Sequence, residues 1–128
     1  MMVAEAEPLD RMLQDAMGAY RDGDFNKAEV QCRQILEQDP NHIATMQVLA
    51  AVAGQFGVPQ RGIELVNKII QLQPAHADAH IQLAKLLRQE GKDEEAIAAL
   101  KTAIELAPKS AAAYNDLGLI YRDTNRAA

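Results

Sequence analysis

Apolar positions along this chain recur in three- and four-residue steps, interrupted at regular places by glycine or proline. Leu9, Met12, Leu13, Ala16, Met17, Ala19 and Tyr20 form the first such series, which predicts a helix over about residues 8–22. Gly23 stands where a helix C-terminus needs a left-handed residue, and Asp24 can cap a second helix carrying Ala28, Cys32, Ile35 and Leu36. Pro40 closes that unit, because proline has no N–H and clashes with the preceding turn. The cycle then repeats. Met46, Leu49, Ala50 and Ala53 line a third helix over about 42–56, Gly57 stops it, and Pro59 suits the first turn of a fourth helix bearing Gly62, Val66, Ile69 and Ile70. His80, Leu83, Ala84 and Leu87 mark a fifth helix before Gly91, and Ala96, Leu100, Ala103 and Ile104 a sixth before Pro108. Tyr114, Leu117, Gly118 and Tyr121 mark a seventh. Asn125 then stands where the turn glycine would be.

The punctuation has one period. Pro40, Pro74 and Pro108 are 34 residues apart, as are Gly23, Gly57 and Gly91, and the small residues Ala28, Gly62 and Ala96. Ala16, Ala50, Ala84 and Gly118 keep the same interval. Several registers sharing one period indicate a stacked array of helical hairpins. Small residues at matching places let the two helices of a hairpin cross closely.

These residues make the chain resemble a tetratricopeptide repeat (TPR) protein, with three full repeats at about 9–42, 43–76 and 77–110 and the first helix of a fourth at 111–128. The third repeat follows the family pattern best, through Leu83-Ala84, Gly91, Glu95-Ala96, Ala103 and Pro108. The second has Gly62 in place of the usual alanine. In the first, Asp15 replaces a buried leucine, as expected if that side faces water. Residues 1–7 read as a disordered leader. The resemblance implies an all-α fold, a right-handed α-solenoid of antiparallel helix pairs with about seven helices. It implies a non-enzymatic scaffold that binds a partner protein or peptide in a concave groove lined by the first helix of each pair.

Mapped onto this sequence, the groove positions are Leu13, Gln47, Ile81 and Asn115; Met17, Ala51, Lys85 and Leu119; Tyr20, Gly54, Arg88 and Arg122; and Gln14, Val48, Gln82 and Asp116. Ala44, Ala51 and Gly54 leave a dip beside Met17 and Tyr20, suited to an apolar side chain. Lys85, Arg88 and Arg122 suggest a positive patch for a carboxylate; the alternative is that they are solvated surface charges balanced by Asp78, Asp116 and Asp123. The family's carboxylate clamp needs Lys and Asn where this chain has Leu13 and Met17. Its asparagine ladder needs Asn where the chain has Gln14, Val48, Gln82 and Asp116. Neither subtype is therefore expected.

Composition adds limits. The formal net charge of −5 argues against nucleic acid as partner. No apolar run is long enough for a membrane span. The acidic N-terminus lacks the features of a signal peptide, and the single cysteine, Cys32, suits a reducing, cytoplasmic setting. Cys32 reads as a packed hydrophobe. His42 and His76 read as helix-start residues, and His80 falls on the buried side of its helix. His76 and His80 lack a third metal ligand, so no metal or other cofactor is expected. Glu94-Glu95 reads as a solvated helix start, and no phosphate-binding loop or nucleophile elbow occurs. The apolar residues Tyr114, Leu117, Ile120 and Tyr121 of the seventh helix would lack a cover. That suggests a fragment of a longer protein or self-association through this helix. An alternative function follows: an N-terminal docking module of an enzyme, such as a transferase, with catalysis beyond residue 128.

Overall fold

The computed structural model describes residues 6–124, and the side chains of 8–124. Seven helices follow one another: α1 (Ala6–Arg21), α2 (Phe25–Gln38), α3 (Ile43–Gln55), α4 (Pro59–Leu72), α5 (Ala77–Gln89), α6 (Asp93–Leu106) and α7 (Ala111–Asp123). Asn125 and residues 1–5 of the expected 1–7 leader lie outside the described residues, while Ala6 and Glu7 already belong to α1. Successive helices pack on one another, and α1, α3, α5 and α7 also contact their nearest odd-numbered neighbours. The result is a solenoid in which the odd helices share one face.

Two kinds of turn build it. After each odd helix the chain turns through a glycine at positive φ: Gly23 at 81°, Gly57 at 76° and Gly91 at 80°. The N–H of the following residue reaches back five positions. Asp24 bonds Ala19 at 2.8 Å, Val58 bonds Ala53 at 3.0 Å and Lys92 bonds Leu87 at 2.9 Å. Each glycine N–H bonds three positions back, which completes a Schellman closure. No Cβ would clash at these glycines. Their backbone conformation alone selects glycine.

After α2, α4 and α6 the pre-proline or equivalent residue is extended: Asp39, Gln73 and Ala107 share φ near −138° to −139°. The carbonyl of each accepts the N–H three residues on, from His42, His76 and Ser110 at 3.1–3.2 Å, with proline at the second position of the turn. Those three residues then cap the next helix. His76 Nδ1 accepts from Ala79 N–H at 3.1 Å and Ser110 Oγ from Ala113 N–H at 3.2 Å. His42 Nδ1 lies 2.8 Å from the hydroxyl of buried Thr45. Asp24 caps α2 by accepting from Lys27 N–H at 3.2 Å. Lys92 offers no side-chain cap to α6, where Asp93, Glu94 and Glu95 oppose the helix dipole instead.

The core is a chain of small clusters along the stack. Ala19, Ala28 and Val52 form one; Ala16, Cys32 and Leu49 another; Met46, Ala50, Val66, Ile69, Ala79 and Leu86 a third. The largest joins α5, α6 and α7 through Ala84, Ala96, Leu100, Ala103, Ala113 and Ile120. Asp15 is exposed, in keeping with its place on α1.

Three details depart from the sequence reading. Ile120, expected to lack a cover, is 1% exposed and sits in the last cluster. Of its companions, Tyr114 is exposed while Leu117 and Tyr121 are half-buried. Val52 and Leu86, on a second face of their helices, are as buried as the expected stripe, because α3 and α5 pack against four helices each. His80 is only half-buried, and its Nε2 reaches out to the Pro74 carbonyl at 3.1 Å.

Gly62 shows why the second repeat differs. A Cβ there would lie 2.9 Å from both the Ala50 carbonyl oxygen and Leu86 Cδ1. The residue at Leu86's place one repeat earlier is the smaller Val52, which packs with Ala28. The Ala50 backbone and the Leu86 side chain together leave no room for a methyl at position 62.

Candidate peptide-binding groove

The shared face of α1, α3 and α5 holds two adjoining cavities. One, of about 640 Å³, is lined by Tyr20, Gln47, Ala51, Gly54, Gln55, Asp78, Ile81, Gln82, Lys85 and Gln89, among others. The second, of about 470 Å³, is lined by Met17, Tyr20, Arg21, Ala44, Gln47, Val48 and Ala51. Tyr20, Gln47 and Ala51 belong to both, so the two form one channel across three repeats. A smaller cavity of about 230 Å³ between α5 and α7 takes in Lys85, Arg88, Asp116 and Leu119.

Nine of the sixteen mapped groove residues line the channel: Met17, Tyr20, Gln47, Val48, Ala51, Gly54, Ile81, Gln82 and Lys85. Arg88, Asp116 and Leu119 line the α5–α7 cavity. Leu13, Gln14, Asn115 and Arg122 line none of these three, and Ile81 is only 5% exposed, so it offers an edge. Arg21, Gln55 and Gln89 were absent from the mapping. They form a repeat-equivalent column one residue beyond Tyr20, Gly54 and Arg88, and that offset was the available signal.

The offset governs how repeats are laced together. Gln55 Nε2 donates to Tyr20 Oη at 3.3 Å, Gln89 Nε2 donates to the Gly54 carbonyl at 2.9 Å, and Arg88 donates to Asp123. Each rung joins residues 35 apart at equivalent places in successive repeats. Gly54 allows its rung because a Cβ there would lie 3.2 Å from Gln89 Oε1. A parallel rung runs deeper, from Gln82 Nε2 to the Gln47 carbonyl at 2.7 Å. Tyr20 is further held by Phe25, whose ring stands edge-on at 5.3 Å.

These rungs change the electrostatics. Arg88 pairs with Asp123, Arg122 Nε lies 3.5 Å from the same carboxylate, and Lys85 lies 4.0 Å from Asp116. The three cations thus each face a carboxylate of the chain itself. Arg21, at the lip of the apolar cavity, makes no ion pair or side-chain hydrogen bond among the described residues.

Nothing in the groove resembles a catalytic constellation. Cys32 is buried on α2, and burial pushes its thiol up to about 11 against a small opposing effect of Arg33. Such a thiol is a poor nucleophile at neutral pH. His76 and His80 are committed to Ala79 N–H and the Pro74 carbonyl. Among the described residues no group of three His, Cys, Asp or Glu is placed to hold a metal, and no helix is long and apolar enough to cross a membrane.

A TPR-repeat family model matches residues 84–124, from the middle of α5 to the end of α7. Residues 84–124 thus carry tetratricopeptide repeat sequence, and the seven helices have the fold of TPR solenoids. Solved TPR structures agree over nearly its whole length. An O-GlcNAc transferase mutant from Thermobaculum terrenum superposes with a TM-score of 0.87 at 26% identity, over 94% of this chain and 23% of the transferase. A MamA protein superposes with a TM-score of 0.77 at 28% identity, over 93% of this chain and 65% of MamA. The first TPR domain of Spaghetti (RPAP3), bound to an HSP90 peptide, superposes with a TM-score of 0.84 at 15% identity, over 98% of this chain and 99% of that domain. The last likeness is one of fold. The chain thus spans about a quarter of the transferase. No curated protein sequence matches it.

Proposed function

We propose that this TPR domain is a non-enzymatic docking module that seats an extended segment of a partner protein across α1, α3 and α5. The observation that carries this reading is the pair of adjoining cavities that share Tyr20, Gln47 and Ala51. Its floor is small or neutral at Gln47, Ala51 and Gly54, and its walls come from three different repeats. An extended strand advances roughly 3.3 Å per residue, so a short segment can touch all three helices. The likeness to a TPR domain solved with a peptide bound agrees with it.

The test uses a displayed library of random short peptides and the variant Ala51→Phe. Ala51 is half-buried on the floor of both cavities, so a phenyl ring there would fill the channel while leaving the core intact. Peptides selected on the wild-type domain should lose binding to the variant at unchanged helicity and melting temperature. Undiminished binding would overturn the reading.

A second reading is that the module serves a larger enzyme. The likeness to the transferase at 26% identity favours it. A catalytic domain encoded downstream in the same reading frame would support it, and its absence from the complete frame would remove it.

A further inference from the structure

We infer that the groove selects segments in which a large apolar side chain and an aspartate or glutamate lie within two residues of each other, with Arg21 as the group that reads the carboxylate. This rests on the groove reading above and deepens it. The apolar cavity owes its depth to Ala44 and Ala51 and is walled by Met17 and Val48. Its size, about 470 Å³, exceeds a single leucine or phenylalanine side chain, so it accepts one with room for the adjoining main chain. Arg21 stands on its lip.

Arg21 differs from every other cation of this face. Lys85, Arg88 and Arg122 already face Asp116 or Asp123, so an incoming carboxylate must compete with one held in place. In the column Arg21, Gln55, Gln89 and Asp123, the last three residues each join the preceding odd helix. Arg21 lies on α1, with no preceding helix among the described residues, and its guanidinium turns back over Gly18. Its donors are open to a ligand. A guanidinium offers five N–H groups in a planar fork that matches a carboxylate.

The geometry also distinguishes a side-chain carboxylate from a chain end. Gln47 and Ala51 form the floor along which a peptide main chain would run. Arg21 shares the C-terminal rim of the odd helices with Gln55 and Gln89, to one side of that floor. It meets a group projecting sideways from the segment. Neighbouring side chains of an extended strand point to opposite sides, so a residue one or two positions from the anchored one can reach the rim.

The experiment takes the peptides selected on the wild-type domain. Each is synthesised with its acidic residue intact, with that residue replaced by its amide, and with an amidated C-terminus. Affinities are measured for wild type, Arg21→Gln and Arg21→Lys. The acidic peptide should lose about tenfold on Arg21→Gln, recover in part with Arg21→Lys, and lose little on C-terminal amidation. The side-chain amide peptide should bind wild type and Arg21→Gln within about twofold of each other. If peptides are selected and blocked by Ala51→Phe but Arg21→Gln leaves the acidic peptide unaffected, this inference fails while the groove reading stands. Sensitivity to C-terminal amidation alone would also overturn it. If Ala51→Phe blocks nothing, the groove reading itself has failed.

Discussion

At the scale of single residues, Gly62 and Leu86 form a matched pair. Adding one methyl at position 62 meets a backbone carbonyl and a leucine at 2.9 Å, closer than real Cβ contacts. Gly62→Ala should therefore destabilise the domain by about 1–3 kcal/mol, outweighing the roughly 1 kcal/mol that alanine gains over glycine in a helix. Leu86→Val in the same chain should recover part of the loss, and urea unfolding of the two variants checks both statements. Additive losses would show that the leucine is not what the glycine serves.

Cys32 supports a second residue-scale prediction. Its thiol titrates near 11 when folded, against an ordinary value of 9.0. Between those values the unfolded chain gives up a proton that the folded chain keeps. Stability is therefore full below pH 9 and falls as pH rises toward 11, by on the order of 2–3 kcal/mol. The wild-type fall, measured by denaturant unfolding, should exceed that of Cys32→Val by this amount. Equal slopes would contradict it. The packing role of Cys32 was legible in its spacing, since a small apolar residue belongs on that stripe. Arg88 was only half readable: Asp78, Asp116 and Asp123 were all candidate partners, and the structure selects Asp123, 35 residues away and one beyond the repeat length.

At the scale of elements, the turns were readable and the odd helices only half so. Proline and glycine act through backbone geometry within a few residues, so Pro40, Pro74, Gly57 and Gly91 declare the hairpin ends without tertiary information. A helix packed against four others shows no single stripe. In α3, Thr45, Met46, Leu49, Ala50, Val52 and Ala53 are all buried, and one-stripe reasoning misses Val52. The turn account makes its own prediction. Gly23, Gly57 and Gly91 share one conformation with open space around each, so substitution by alanine should cost a similar amount at each, about 1–2 kcal/mol. Chemical denaturation of the three variants tests it. A large cost at one turn and none at another would mean that local packing decides there.

At the scale of the whole molecule, the solenoid is a line of clusters, each sharing helices with the next, so stability is held locally. Among the described residues α7 packs on α5 and α6 alone, and its surface charges join it to α5 through Arg88–Asp123 and Lys85–Asp116. Those pairs are partly exposed, so each contributes about 1 kcal/mol or less. Amide hydrogen exchange should accordingly find α7 opening at lower free energy than α3, α4 and α5. Equal protection along all seven helices would indicate a single cooperative unit. The face shared by the odd helices followed from the repeat period together with the family resemblance. Which of its charges are paired did not, since that depends on rungs between repeats.

The central claim is that a ligand lies on this shared face. Amide and methyl NMR shifts recorded during titration with a library-selected peptide test it most directly. The predicted result is a contiguous set of perturbations at Met17, Tyr20, Ala44, Ala51, Gly54 and Ile81, with α4 and α6 unmoved away from the channel. Perturbations concentrated instead on α2 and α4, around Glu29, Arg61 and Leu65, would place the ligand away from this face and contradict the account.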